Sequence, residues 1–184
     1  MIRSLTLLSL FAATALSPFN ITPQDPNAAP VAEHGQLAGL AGDWNVVSTF
    51  ALPGAAPQEF QGKARCRAIL GGRFVQIDES GTEFGQPSEK QKTFGFNAAT
   101  RKYEGVWMYT GSTALMHLDG AMQKDGSTIA GDASFAGENG EPQKFTWELQ
   151  RIDADRFSTK LVAPAPGGGP AATFTAVYTR AAKK

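Results

Sequence analysis

The sequence predicts an all-β fold: a single antiparallel up-and-down β-barrel of about ten strands behind a short N-terminal helix. Three observations carry this. Segments of alternating character recur at regular spacing from Trp44 to Arg180. The connections between them are too short for the crossover that parallel strands need. Twenty Gly and eleven Pro in 184 residues suit a chain that turns often. Closing such a meander removes its edge strands.

Residues 1–15 read as a secretory signal. Arg3 gives a positive start, Leu5 to Ala13 form an apolar run too short to span a bilayer, and Ala13-Thr14-Ala15 is an A-x-A cleavage site. The expected location is therefore secreted or periplasmic, with no stable membrane insertion once the signal is removed. Residues 16–30, with Pro18, Pro23, Pro26 and Pro30, read as a flexible leader, and residues 31–184 as the barrel domain. A helix-like stretch from Val31 to Leu40 precedes Gly42-Asp43-Trp44, which opens the first strand, Trp44 to Leu52. The later strands are expected at Glu59–Leu70, Arg73–Glu79, Lys90–Phe96, Tyr103–Tyr109, Ala114–Met122, Thr128–Phe135, Gln143–Ile152, Arg156–Val162 and Thr173–Arg180. Gly71-Gly72, Asn97 to Arg101 and Asp125-Gly126 supply turns between them.

Alternation assigns the faces. Tyr103, Gly105, Trp107 and Tyr109 share one face; so do Phe145, Trp147 and Leu149; so do Phe174, Ala176, Tyr178 and Arg180. Eight strands make a barrel that side chains alone can fill, so ten predict a cavity. Cys66, the sole cysteine, lies in the period-two row Phe60, Gly62, Ala64, Cys66, Ala68 and reads as a buried small hydrophobe. With one cysteine there is no internal disulfide framework.

Seventeen basic residues balance seventeen acidic ones, and no basic stripe points to nucleic acid. Gly167-Gly168-Gly169 lacks the Lys-Ser/Thr of a phosphate loop and reads as a hairpin tip. No Gly-x-Ser-x-Gly elbow is present. Asp78 and Glu79 are adjacent and so point to opposite faces of a strand. Asp132 is placed to face a polar interior, and an enzyme would need Asp132, His117 or Glu148 to converge inside the barrel. Trp44 and Arg180 are expected to meet by cation–π contact and close one end. Trp107, Tyr109, His117, Trp147 and Phe174 are the candidate ligand-binding residues. The leading functional expectation is a non-catalytic protein that binds a small, largely apolar molecule and needs no cofactor. The alternatives are a haem or tetrapyrrole held on His117, and a structural or interaction module with a filled core.

One order of motifs is distinctive. His34-x-x-Leu37-x-x-Leu40-x-Gly42-x-Trp44 is followed by Leu70-Gly71-Gly72-Arg73-Phe74, Gly95-Phe96-Asn97, Lys102-Tyr103-x-Gly105-x-Trp107 and Tyr178-x-Arg180. Over residues 33 to 180 this resembles an uncharacterised bacterial family, domain of unknown function fifteen-seventy-nine. The resemblance implies a calycin-like barrel, related in shape to lipocalins and fatty-acid-binding proteins, and implies no activity. Gly95-Phe96-Asn97 stands where that pattern has Gly-Tyr-Asp. The Gly-x-Trp-x-Gly-x-Gly start of the haem-binding nitrobindins is absent, because Val46 and Ser48 replace the glycines.

Overall fold

Residues 58–69 show how the sequence builds its strands: small or apolar side chains alternate with Gln61, Lys63, Arg65 and Arg67, which face solvent. A strand of this kind can bury one face only, and the chain repeats the pattern until the sheet meets itself. The computed structural model describes residues 29–137, 139–163, 169 and 171–182. The signal segment, residues 16–28 of the leader and most of the Gly167–Gly169 tip lie outside the described residues.

A helix, α1 (Ala32–Ala38), leads into ten strands: β1 (Gly42–Ala51), β2 (Gln58–Ile69), β3 (Phe74–Glu83), β4 (Gln86–Asn97), β5 (Lys102–Tyr109), β6 (Met116–Met122), β7 (Thr128–Ala136), β8 (Pro142–Arg151), β9 (Arg156–Ala163) and β10 (Ala172–Arg180). Each strand pairs antiparallel with its neighbours in sequence, and β1 pairs with β10 from Trp44↔Arg180 to Ala51↔Thr173, which closes the barrel. The third and fourth strands run further than alternation predicts. They meet in a two-residue loop, Phe84-Gly85, with Glu83 opposite Gln86. The Ser80-Gly81-Thr82 and Gln86-Pro87-Ser88 stretches have weak strand character, so pairing with each other extends them. Leu70-Gly71-Gly72 forms a 3₁₀ turn between β2 and β3.

One end of the barrel is solid. Trp44 lies edge-on to Phe157 with centroids 4.8 Å apart, and Phe157 stacks on Tyr178 at 4.0 Å. The Arg180 guanidinium sits 4.2 Å over the Trp44 ring. Its other contacts go to Asp155 Oδ1 (3.0 Å) and to the carbonyls of Ala41 (3.1 Å) and Ala154 (3.0 Å), so one planar fork ties together the start of β1, the β8–β9 turn and the end of β10. Trp44 Nε1 donates to the Leu40 carbonyl at 3.0 Å. The helix and the turn after it cap the same end with Leu37 and Leu40 buried, while Tyr103 Oη donates to Gln36 Oε1 at 3.0 Å. His34 Nδ1 accepts the Val31 N–H at 2.9 Å and sets its ring edge-on to Phe96.

Gly42 is required at this junction. Its φ is +141°, and a Cβ there would stand 2.6 Å from Arg180 Nη1. Gly42→Ala is expected to displace the guanidinium and destabilise the fold by about 1–3 kcal/mol, and Trp44→Ala by about 3–5 kcal/mol as a core truncation. Urea denaturation followed by far-UV circular dichroism measures both, and a wild-type midpoint for either variant would contradict this account of the closed end.

Candidate functional site

Charged residues at inward positions are what the strand alternation does not advertise. On β3, Glu79 and Glu83 follow Val75 and Ile77 on the inner face; on β4, Lys90 and Lys92 precede Phe94 on the inner face. Adjacent antiparallel strands bring these four together as two ion pairs, Lys92–Glu79 and Lys90–Glu83.

The deeper pair sits midway along the barrel. Lys92 is 1% exposed, and its Nζ donates to Glu79 Oε1 at 2.5 Å, to Tyr178 Oη at 2.7 Å and to Thr159 Oγ1 at 3.5 Å. Tyr178 Oη in turn donates to Glu79 Oε1. The ammonium also lies 4.7 Å from the Trp107 ring centroid. Burial pulls the Lys92 ammonium below its ordinary range, and the Glu79 carboxylate opposes that pull. Burial, and then the charge of Glu79, hold the Tyr178 phenol protonated well above its ordinary range. Cys66 lies on the neighbouring strand, where burial first and Glu79 second raise its thiol to about 12. It is a packing residue with no thiolate to offer as nucleophile.

Above this polar layer, towards the end away from α1, the interior is open. A cavity of about 350 Å³ is lined by Trp107, Met116, Phe135, Phe145, Leu161 and Phe174. Lys90, Glu83, Tyr109 and Ser112 supply polar groups on its wall and rim, and Phe50 and Phe84 stand at its mouth. At roughly 30 Å³ per water, the space equals about a dozen waters, enough for one small organic molecule. Phe135 and Phe145 stack at 5.4 Å, and Trp107 tilts against Phe174 at 5.8 Å. Trp107 Nε1 is buried and, among the described residues, lacks a hydrogen-bond partner. A larger concavity on the outside of β1–β5 is lined mainly by outward-facing side chains such as Asn45, Lys63 and Gln91. It is a more open surface, whereas the cavity inside the barrel opens at the Phe50 and Phe84 mouth.

The mouth carries a strained aromatic. Phe84 and Gly85 both have positive φ, +51° and +76°, the geometry of a type I′ hairpin turn, where Asn-Gly is the favoured pair. A phenylalanine in this conformation costs about 1–2 kcal/mol. The residue is 59% exposed, yet its ring contacts Phe60 at 4.7 Å and Phe50 at 5.8 Å, which holds it across the cavity entrance.

Three of the ligand candidates come together: Trp107, Tyr109 and Phe174 line the cavity. Trp147 points inward but does not line it. It stacks on Phe94 at 5.5 Å and donates Nε1–H to the Asp119 carbonyl at 3.0 Å, lower in the packed part of the barrel. His117 is exposed, paired with Val106 and Ser134, on the outer face. β6 turns Met116 and Leu118 inward, so its alternation forces His117 out. An interior tetrapyrrole therefore has no access to His117. Asp132 is likewise exposed, opposite Asp119, because Ile129 and Ala133 take the inward positions of β7. With Glu148 on the face opposite Trp147, no catalytic group converges from these three residues. Among the described residues, no group of three His, Cys, Asp or Glu is placed to hold a metal ion, and no helix is long and apolar enough to cross a membrane.

The fold and this interior define a closed ten-stranded barrel with one sealed end. Solved structures share the architecture. Rv2717c from M. tuberculosis aligns at a TM-score of 0.59 and 19% identity, over 84% of this chain and 100% of that one. The S-type phycobiliprotein lyase CPES from Guillardia theta aligns at 0.58 and 9%, over 84% and 95%. A search of curated proteins finds no match. The chain belongs to the family described as Protein of unknown function (DUF1579), whose model matches residues 29–180.

The buried network yields a sharp expectation. Lys92→Met leaves Glu79 without its cation and should destabilise the fold by about 3–5 kcal/mol. Lys92→Met combined with Glu79→Leu should be less destabilised than Lys92→Met alone, since no unpaired buried charge remains. A double-mutant cycle from urea denaturation tests this. Additive losses would show that the two groups act independently.

Proposed function

We propose that this protein binds a small, largely apolar molecule inside its barrel, at the end opposite α1. The observation that carries this reading is the aromatic cavity inside the barrel, above a polar layer that already satisfies its own charges. A pocket of about 300–1,000 Å³ with mostly apolar walls and a few polar groups is the usual form of a small-molecule site. This cavity lies within that range. Phe84 supports the reading as well. A bulky residue keeps an unfavourable backbone conformation at a turn where asparagine would serve better, and its ring stands at the entrance. Strain of this kind tends to cluster at ligand clamps. The apolar N-terminal run after Arg3, with its A-x-A site, supports an exported protein that meets its ligand outside the cytoplasm.

The test uses a neutral fluorescent probe, N-phenyl-1-naphthylamine, whose emission rises in an apolar site. Wild-type protein is expected to take up one equivalent, and Leu161→Trp, which fills the cavity, to take up none while keeping its circular dichroism spectrum. Phe84→Asn should leave stability unchanged or raise it by up to about 1 kcal/mol, yet weaken probe binding roughly tenfold, about 1.4 kcal/mol. A wild-type protein that takes up no probe would leave the barrel as a filled structural module.

A further inference from the structure

The charges facing the cavity are already balanced, and that restricts what can enter it. Lys90 and Glu83 are the charged residues on its lining, and they are paired with each other. Lys90 Nζ donates to Glu83 Oε1, Ser88 Oγ donates to Glu83 Oε2 at 3.2 Å, and the side chains are only 7% and 17% exposed. The ammonium also stands 4.5 Å from the Phe174 ring centroid. Below them, Lys92 is matched by Glu79. Two ammonium groups and two carboxylates cancel within the described interior.

An ionised ligand would bring a charge with no counter-ion, in a space where charge is far less well solvated than in water. A carboxylate accepting a second N–H from Lys90 would leave one ammonium between two anions, and an amine donating to Glu83 would leave one carboxylate between two cations. Either leaves a net charge in the pocket. A neutral polar group leaves the balance intact. An ammonium has three N–H donors, and among the described residues Glu83 Oε1 is the one hydrogen-bond acceptor recorded for Lys90. A hydroxyl or carbonyl oxygen can accept from it while the pair stays intact, and a hydroxyl can also donate to Glu83.

We propose that the ligand is an uncharged amphiphile, with an apolar body among Trp107, Phe135, Phe145 and Phe174 and a single hydroxyl, ester, ketone or amide group at the Lys90–Glu83 pair. This rests on the cavity reading above and narrows it to one chemical class. The pair acts as the polar end of the site, and its internal neutrality is the selectivity device against fatty acids and alkylamines of the same length.

The experiment compares octan-1-ol, octanoate and octylamine as displacers of N-phenyl-1-naphthylamine at about pH 7, where the last two are ionised. Wild-type protein, Glu83→Gln and Lys90→Gln are compared. Octan-1-ol should displace the probe from wild type at least tenfold more effectively than either charged analogue. Glu83→Gln should improve octanoate at least tenfold relative to octan-1-ol, and Lys90→Gln should do the same for octylamine. Octanoate equal to or better than octan-1-ol on wild type would overturn the inference. So would three equal displacers, or variants that leave these ratios unchanged; in those cases the cavity reading stands. If the probe itself does not bind wild type, the cavity reading fails and takes this inference with it. Probe uptake by each variant reports that its pocket is intact, and the wild-type order decides the matter if a variant does not fold.

Discussion

Lys92 holds its ammonium at the centre of the barrel with almost no exposure to solvent, and Glu79, Tyr178 and Thr159 converge on it from three other strands. An unpaired charge there would be intolerable, so β3, β4, β9 and β10 must keep the register that brings these groups together. The network also divides the interior. On the helix side, Phe157, Tyr178 and Trp44 pack without a gap in their ring contacts, and Arg180 ties that end shut. On the other side the inward residues no longer meet across the barrel, and a cavity remains. The polar layer is thus the floor of the site and the roof of the core.

Strand number, antiparallel order and the inward aromatic faces were all legible in the sequence, because period-two alternation survives along nearly every strand. Closure between Trp44 and Arg180 was legible for the same reason, with the Gly-x-Trp start and the final Arg at matching ends. Two features were not. Glu79, Glu83, Lys90 and Lys92 sit in phase with Val75, Ile77 and Phe94, so the signal for inward charge was present. Charged residues on a strand are ordinarily read as solvent-facing, however, and setting Asp78 and Glu79 on opposite faces does not by itself say that Glu79 finds a cation inside. Their partnership depends on the β3–β4 register, which in turn depends on where the Phe84-Gly85 turn falls.

That turn hid for a related reason. Phe84-Gly85 lacks the Asn or Asp that signals a two-residue hairpin, so the ends of β3 and β4 merged into an apparent loop. His117 and Asp132 illustrate the opposite error. Each carries chemistry that draws the eye, yet the apolar residues beside it claim the inward positions and leave it outside. Phase against the nearest apolar neighbours was a better guide to a residue's role than its chemical versatility.

The central claim is that the barrel is filled up to the Lys92 layer and open above it. A crystal of the protein soaked with 1-bromooctane, with anomalous diffraction recorded at the bromine edge, tests this most directly. The account predicts a bromine peak inside the barrel, bounded by Trp107, Phe135, Phe145 and Phe174, and none on the Trp44 side of Lys92. Bromine confined to the outer surface, or lodged between Lys92 and Trp44, would contradict it.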